Sequence, residues 1–496
     1  MTAYEKLESR FRRHSIVQGA MAVLHWDSAV MMPLGGASAR SDQLAELALV
    51  CHEILTAPDF QELLNAAEGE VEKLDEWQDT NLAEMRRRWL HANAVPAELV
   101  RRLSEASSAC EIAWRDARAQ DDFEAVRPHL ELIVDLTRQS AQAKSEHLGC
   151  SPYEALLDEY DPGSRIADIE PLFNELAEFL ESFIGEVVES QGRHPRPVTP
   201  RGRFSVEAQR RLGENLMRRL GFDFERGRLD TSHHPFTGGI PEDLRLTTRY
   251  DEDDFTSGLM AVLHETGHAL YERGLPAKWR HQPVGSSRGM SMHESQSLII
   301  EMQASRSDAF IRYLTPLLRD AFAGDGEEWQ TDNLIRVYRQ VSPSLIRVDA
   351  DEVTYPMHVI MRFHLERALI AGDLTVADLP GAWREGMRRA LGVEPGDDRD
   401  GCMQDIHWFS GGFGYFPTYT LGAIAAAQLF RAAQRAVPDV LSGLEIGDFR
   451  PLLSWLRENV HDLASRYTPQ DILTRTTGRS FDIEVFKTHL RDRYLD

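Results

Sequence analysis

Apolar residues recur at intervals of three and four along most of this chain, and that spacing constrains its fold more than any other feature. The run at 171–188 is the clearest example, because its large apolar side chains form one continuous stripe on a helix. Pro171 stands near the start of that run, where proline is tolerated. Similar spacing predicts helices over residues 81–120, 124–147, 205–220, 292–323, 328–341, 352–371, 417–436 and 450–465. The sequence therefore predicts a mainly α fold.

One stretch departs from the helical pattern. Residues 221–250 are rich in Gly, Pro and Thr, and the alternation of Leu, Leu, Thr and Tyr from 244 to 250 is typical of a strand. A Pro-rich segment at 193–200 interrupts the helices, and we interpret it as a loop within a domain rather than a linker. We predict one large, mainly α domain over residues 1–496, with a small β element at about 221–250 beside a cleft.

Charge and composition narrow the classes of partner. The 496 residues are 42% hydrophobic and 27% charged, which is typical of a soluble globular protein, and the net charge is −24. A surface this acidic repels nucleic acid and anionic lipid, so neither is an expected partner. Four cysteines without a close pair fit reduced thiols, and no secretory signal or membrane-length apolar stretch stands out. We therefore predict a cytoplasmic location.

The most informative motif is His264-Glu-Thr-Gly-His268. On a helix, residues four apart share one face, so both imidazoles can reach a single zinc ion. Glu265 lies about 100° further round the helix, where it borders the metal without having to bind it and can act as a base on water. Apolar residues cluster on the opposite face, and Gly274 is well placed to end the helix. The alternative is a chance match on a surface helix.

A catalytic zinc site has three protein ligands and one open position, so a third ligand is required. The next helical run begins at residues 291–298 and offers His293 and Glu294. A carboxylate about thirty residues beyond the first histidine is the arrangement of one large class of zinc peptidases. His293 is the competing ligand, and otherwise a hydrogen-bond partner of a ligand or a packed histidine. The predicted metal site therefore spans residues 264–294.

Further motifs resemble those of the carboxypeptidase Taq family of metallocarboxypeptidases, and they follow the family's order. They are His264-Glu-Thr-Gly-His268 with His293-Glu-Ser-Gln296, His234-Pro-Phe236, Asp243-Leu-Arg-Leu-Thr247, Ile346-Arg-Val-Asp-Ala-Asp351, Gly401-Cys-Met-Gln-Asp-Ile-His-Trp408, Trp26-Asp27 and Met32-Pro-Leu-Gly-Gly36. The resemblance covers essentially the whole chain, with no departure at a fixed position. It implies a helical, saddle-like fold with a deep groove, a homodimer, and removal of single residues from the carboxyl ends of peptides.

The resemblance also implies roles for individual residues. It favours Glu294 over His293 as the third ligand beside His264 and His268. We predict one zinc per chain, which cobalt can replace because nitrogen and oxygen ligands at an open site accept several divalent ions. It supports Glu265 as the general base that takes a proton from water and passes it to the leaving amine.

Carboxylate capture requires a fixed cation, and arginine suits it because its planar fork can bind both oxygens. Arg347 and Arg245 both lie in matched motifs. Either could instead form an internal ion pair, for example with Asp243, Asp349 or Asp351.

Candidates for stabilising the oxyanion are Tyr355, Tyr415 and Tyr419, and core packing is the alternative role for these side chains. His407 is a candidate either for binding substrate or for orienting a neighbour. The predicted function is a zinc metallocarboxypeptidase that acts on peptides. The alternatives are an oligopeptidase or dipeptidyl carboxypeptidase with the same ligands, and a non-catalytic peptide-binding protein with a structural metal. A base at 265 and an open coordination position disfavour the last alternative.

Overall fold

The computed structural model describes residues 1–495, which are mainly helical, so the predicted fold class is confirmed. The first half of the chain contains α1 (Ala3–Val30), α2 (Ala37–Leu55), α3 (Phe60–Glu68), α4 (Glu76–Ala94), α5 (Ala97–Gln120), α6 (Phe123–Leu148), α7 (Pro152–Tyr160), α8 (Ile166–Gly192) and α9 (Val206–Arg219). The second half contains α10 (Phe255–Gly274), α11 (Gly289–Leu298), α12 (Asp308–Phe322), α13 (Thr331–Tyr338), α14 (Tyr355–Ala371), α15 (Leu379–Leu391), α16 (Pro417–Ala436), α17 (Asp439–Glu445), α18 (Arg450–Asn459), α19 (Pro469–Thr477) and α20 (Ile483–Tyr494).

Two of the predicted helices are interrupted. The predicted run 81–120 is divided between α4 and α5 at Val95-Pro96, because proline disfavours the helical conformation of the residue before it. The predicted run 292–323 is divided into α11, a π-helix at Ile299–Ala304, and α12. The π-helix places a wide turn directly after the segment that carries Glu294.

The small β element is a three-stranded sheet that lies directly before α10, as predicted. It consists of β1 (Gly227–Thr231), β2 (Phe236–Ile240) and β3 (Asp243–Thr248) in the order β1-β3-β2. Strand β3 is parallel to β1 and antiparallel to β2. Leu244 and Leu246 of β3 pack against Val262 and Ala269 of α10, which accounts for the alternating sequence pattern. The sheet is thereby fixed against the back of the helix that carries His264.

Two large apolar cores lie on either side of α16. One core includes Leu421 and Ile424 of that helix, and the other includes Ala425 and Leu429. Because one helix contributes to both cores, the two halves of the fold are packed together through it. This arrangement supports the single domain predicted for residues 1–496, which stays a prediction.

Among the described residues, no helix combines the length and the apolar character that crossing a membrane requires. The four cysteines are free thiols, in agreement with the sequence analysis.

Candidate active site

Close approaches between three helices bring the predicted metal ligands together. Helix α10 carries His264 and His268 on one face, and α11 carries Glu294. A Cβ atom at Gly267 of α10 would lie 2.6 Å from the carbonyl oxygen of residue 296, and one at Gly422 of α16 would lie 2.7 Å from the Cβ of Glu294. Glycine at these two positions therefore allows the helix backbones to meet behind the ligands.

The ligand atoms of His264, His268 and Glu294 all lie within 4.8 Å of one another. One carboxylate oxygen of Glu294 is 4.0 Å from His264 Nε2, and the other is 3.7 Å from His268 Nε2. These distances are too long for hydrogen bonds, yet short enough for one ion at about 2 Å from each atom. The geometry thus fits a metal centre with two imidazoles and one carboxylate.

The charges around His264 fit a cation as well. Burial opposes a charge on this imidazole, but the carboxylates of Glu294 and Glu301 raise its pKa to about 10. The buried Glu265 adds a third carboxylate to the same surroundings. The site therefore attracts positive charge, as expected of a metal-binding donor set.

A carboxylate that the sequence analysis missed holds His264. Glu301 lies in the π-helix, where its Oε2 is 2.9 Å from His264 Nδ1 and its Oε1 accepts a hydrogen bond of 2.6 Å from Arg306. Arg493 of α20 donates to the carbonyl oxygens of residues 302 and 303 in the same turn. These contacts span up to about 190 residues, so local sequence periodicity carried no sign of them.

His293, the competing ligand in the sequence analysis, lies on the far side of His268. Its Nδ1 is 2.6 Å from His268 Nδ1, and its Nε2 is 3.0 Å from Glu272 Oε1. His293 thus contacts a ligand of the candidate site, while Glu294 faces both Nε2 atoms.

Glu265 is held by the small sheet. Thr237 of β2 donates a hydrogen bond of 2.7 Å to Glu265 Oε2, and the carboxylate is only 5% exposed. Burial raises the pKa of Glu265, against the opposing effects of His264 and the Thr237 hydroxyl. The β element therefore fixes one oxygen of this carboxylate.

A cleft of about 760 Å³ runs past the candidate ligands. Its lining includes His264, Glu265, Glu294, Glu301, Arg347, Tyr355 and Tyr419. The cleft brings together the metal site, one of the two predicted arginines and two of the three predicted tyrosines. Its volume suits a short segment of peptide.

Arg347 is buried in the wall of this cleft. It forms an ion pair of 2.8 Å with Asp405, rather than with Asp349 or Asp351, and donates a hydrogen bond of 2.9 Å to the Tyr355 hydroxyl. Asp405 is shared with Arg362, whose Nε is 2.8 Å away. Although burial opposes the charge on Arg347, Asp405 holds its pKa well above the usual range. The guanidinium is therefore a fixed cation.

Arg245 lies elsewhere, on β3. Its Nε and Nη2 atoms each donate a hydrogen bond of 2.7 Å to the carboxylate of Asp243, which is one of the pairings considered from the sequence. The guanidinium also stacks on Trp26 of α1, 4.5 Å from the ring centroid. The structure thus places Arg245 between the sheet and the first helix, and not together with Arg347.

The remaining predicted residues form an aromatic group beside Arg347. His407 Nε2 is 3.2 Å from the Tyr419 hydroxyl, and the ring of Tyr415 is 5.1 Å from that of Tyr419. Burial lowers the pKa of His407 to about 4 and raises the pKa of Tyr419 to about 12. At neutral pH the imidazole is therefore neutral and the phenol keeps its proton.

A helical fold whose cleft holds His-Glu-x-x-His and a distant glutamate defines a class of metallopeptidases. Within it, the chain belongs to the Carboxypeptidase Taq (M32) metallopeptidase family, whose sequence model matches residues 6–494. As a member of this family it is a metallocarboxypeptidase that hydrolyses peptides, so the function predicted from the sequence is confirmed at that level.

Relatives match over nearly the whole length. Thermostable carboxypeptidase 1 of Thermus thermophilus is 39% identical over 99% of this chain and 98% of its own length, and carboxypeptidase 1 of Bacillus subtilis is 33% identical over 97% and 96%. Metallocarboxypeptidase 1 of Trypanosoma cruzi superposes with a TM-score of 0.97 at 38% identity, covering 100% of this chain and 99% of that one. An M32 carboxypeptidase of Deinococcus radiodurans gives 0.93 at 35% identity, over 99% and 98%.

Proposed function

We propose that this metallocarboxypeptidase releases single amino acids from the carboxyl ends of peptides, with one zinc ion per chain held by His264, His268 and Glu294 and with Glu265 as general base. The observation that carries the proposal is the meeting of three ligand atoms within 4.8 Å beside a buried carboxylate in a cleft. When bound, the ion polarises the scissile carbonyl and lowers the pKa of a water molecule. Nitrogen and oxygen ligands of this kind also accept cobalt.

Glu265 has the properties of a base that works near neutral pH. Its raised pKa brings proton uptake closer to the working range, where general bases act best. Thr237 occupies Oε2, which leaves Oε1 to take a proton from water and to pass it to the leaving amine.

We assign capture of the terminal carboxylate to Arg347. Its guanidinium has five N–H groups, of which three serve Asp405 and Tyr355, so two remain for a substrate. Arg245 is the second candidate, although it is less suited because it is paired with Asp243 and does not line the cleft.

Tyr355 is the phenol best arranged to stabilise an oxyanion. Its oxygen accepts a hydrogen bond from Arg347, which leaves its own O–H to donate. Burial raises the pKa of Tyr355, so the proton is retained. Tyr419, with Tyr415 behind it, is the alternative donor, and His407 then orients the Tyr419 hydroxyl.

We also propose a cytoplasmic homodimer. The family resemblance supports the dimer, and four free thiols with a net charge of −24 support a reducing compartment without nucleic acid as partner. The mass of the protein in solution, measured by light scattering, tests the dimer, and a monomer would refute it.

The central test combines metal analysis with three variants. Glu265→Gln is expected to keep zinc and lose most turnover, because the amide cannot accept the proton. Glu294→Ala is expected to lose zinc, and His293→Ala, the matched neighbour on the same helix, is expected to keep at least part of it. A His293→Ala protein without metal and a Glu294→Ala protein with metal would reverse the ligand assignment.

Product analysis separates the remaining alternatives. A peptide blocked at its amino end is expected to yield single amino acids in sequence from its carboxyl end. Release of dipeptides, or cleavage inside the peptide, would identify an oligopeptidase or dipeptidyl carboxypeptidase instead.

A further inference from the structure

The two histidines of the candidate site are supported in different ways. His264 Nδ1 contacts the carboxylate of Glu301 directly, at 2.9 Å. His268 Nδ1 contacts a second imidazole, that of His293, and only this second ring reaches a carboxylate, Glu272. No step of the reaction considered so far uses Glu272.

The proton positions along this chain of contacts follow from counting donors. A neutral imidazole carries one N–H and one acceptor nitrogen. His268 faces Glu294 with Nε2, at 3.7 Å, so binding an ion there requires its proton on Nδ1. That proton has His293 Nδ1 as an acceptor at 2.6 Å, beside the backbone carbonyl of the same residue, so the second ring must present a lone pair at Nδ1.

The second ring must then carry its own proton on Nε2. His293 Nε2 is 3.0 Å from Glu272 Oε1, which as a carboxylate only accepts. The chain of donors thus begins at His268 and ends at an anion. Without Glu272, the proton of His293 would be free to sit on Nδ1, which would force the proton of His268 onto Nε2 and block its lone pair.

We propose that His293 and Glu272 are positioning residues for the metal, because together they hold His268 in the tautomer that presents Nε2 to the ion. This inference rests on the proposed ligand set and extends it to a residue that touches no ligand.

The surroundings keep the pair in place. The ring of Tyr271 lies edge-on to His293, with 5.5 Å between centroids, and its hydroxyl accepts a hydrogen bond from the backbone N–H of Arg288. His293 and Glu272 are 15% and 27% exposed, so their contact is only partly screened by water. Glu272 follows His268 by one helical turn, which fixes the spacing of the three side chains.

The test measures zinc affinity by competition with a chelator of known affinity. Glu272→Ala and His293→Leu are each expected to weaken zinc binding about 10- to 100-fold, the usual effect of losing an outer hydrogen-bond partner. The double variant is expected to be no weaker than His293→Leu alone, because the two groups act in series.

His293→Gln provides the conservative rescue. Its amide oxygen can accept from His268 and its amide N–H can donate to Glu272, so zinc affinity is expected within about threefold of the parent. The visible spectrum of the cobalt-loaded protein should also match the parent for His293→Gln and change for His293→Leu. Glu214→Ala, which removes a surface carboxylate paired on α9, is the control and should leave zinc affinity unchanged.

Three results would overturn the inference. The first is a zinc affinity within twofold of the parent in folded Glu272→Ala protein. The second is a loss in His293→Gln as large as that in His293→Leu, since a preserved donor chain would then not matter. The third is additive losses in the double variant. Complete loss of zinc in every His293 variant with retention in Glu294→Ala would instead refute the ligand set itself.

Discussion

Replacing Arg347 with methionine tests whether its guanidinium binds the terminal carboxylate of a peptide. The side chain is only 5% exposed, so an ion pair made there is weakly screened. Its removal does not strand Asp405, because Arg362 stays paired with that carboxylate at 2.8 Å. The substitution therefore removes the cation from the cleft without leaving an unpaired buried anion.

The expected magnitude follows from the lost contact. A hydrogen bond to a charged group contributes roughly 1.5–3 kcal/mol, which corresponds to about 10- to 150-fold in kcat/KM. Arg347→Met should lower kcat/KM by that factor on a peptide with a free carboxyl end. The parent enzyme should show a loss of similar size when the same peptide is amidated.

The assay is a double-mutant cycle that combines the Arg347→Met substitution with amidation of the peptide's terminal carboxylate. In each case kcat/KM is measured from the release of the terminal residue. On the amidated peptide, Arg347→Met should lose little more than the parent has already lost. Arg245→Met is the matched control, because its arginine is also paired with an aspartate but lies outside the cleft lining. Equal losses of Arg347→Met on acid and amide would show that Arg347 is structural, and a carboxylate-specific loss in Arg245→Met would make Arg245 the binder.

Other parts of the site give further expectations. Thr237→Val removes the hydrogen bond that lowers the pKa of Glu265, so the acid limb of the pH profile of kcat/KM should move to higher pH. Gly422→Ala places a Cβ atom 2.7 Å from another Cβ, so overpacking should lower the free energy of unfolding by about 1–3 kcal/mol and weaken metal binding. Burial raises the pKa of Glu366 from 4.5 to about 7, so the folded state binds a proton that the unfolded state releases between these pH values. The free energy of unfolding should therefore fall by about 3 kcal/mol as the pH rises from about 4.5 to 7. In urea titrations, Glu366→Gln should remove that fall.

Each of these has a result that would contradict it. An unshifted acid limb in Thr237→Val would mean that Glu265 does not set it. Gly185→Ala, where a Cβ atom meets nothing within 4 Å, is the control for helix glycines and should be neutral or stabilising. Equal destabilisation at both glycines would remove the packing argument. A pH dependence unchanged in Glu366→Gln would assign the fall in stability to other groups.

Local sequence signals predicted the mainly helical fold and the presence of a sheet because these depend on short-range periodicity. The helix predicted over 417–436 has those bounds in the structure, since its apolar pattern and the proline at its start both act locally. The end of α10 at Gly274 was also predicted, but for a reason that proved different. A Cβ atom there would lie 2.3 Å from His461, so close packing rather than a left-handed turn accounts for the glycine.

The parts that local patterns missed depend on contacts between distant segments. The ion pairs of Asp405 with Arg347 and Arg362 join three separate elements, and no spacing along the chain encodes their pairing. Family motifs pointed to Arg347 as important, but its aspartate partner emerged only in three dimensions. The interruption of the helix predicted over 292–323 also depends on a distant contact, because Glu301 in the π-helix turns toward His264 of α10.

The π-helix at Ile299–Ala304 makes the length of this segment matter as much as its composition. A π turn holds one residue more than the α turn it replaces, so deleting a single residue would restore a regular helix. The segment after the turn would keep nearly its present orientation relative to α11, but each residue inside the turn would step round by about 100° instead of the smaller angle of a π turn, and Glu301 would turn away from His264. Substitutions in this segment are therefore easier to accommodate in evolution than the deletion of a single residue. Such a deletion would break the hydrogen bonds through which Arg493 of the C-terminal helix holds the turn beside the metal site.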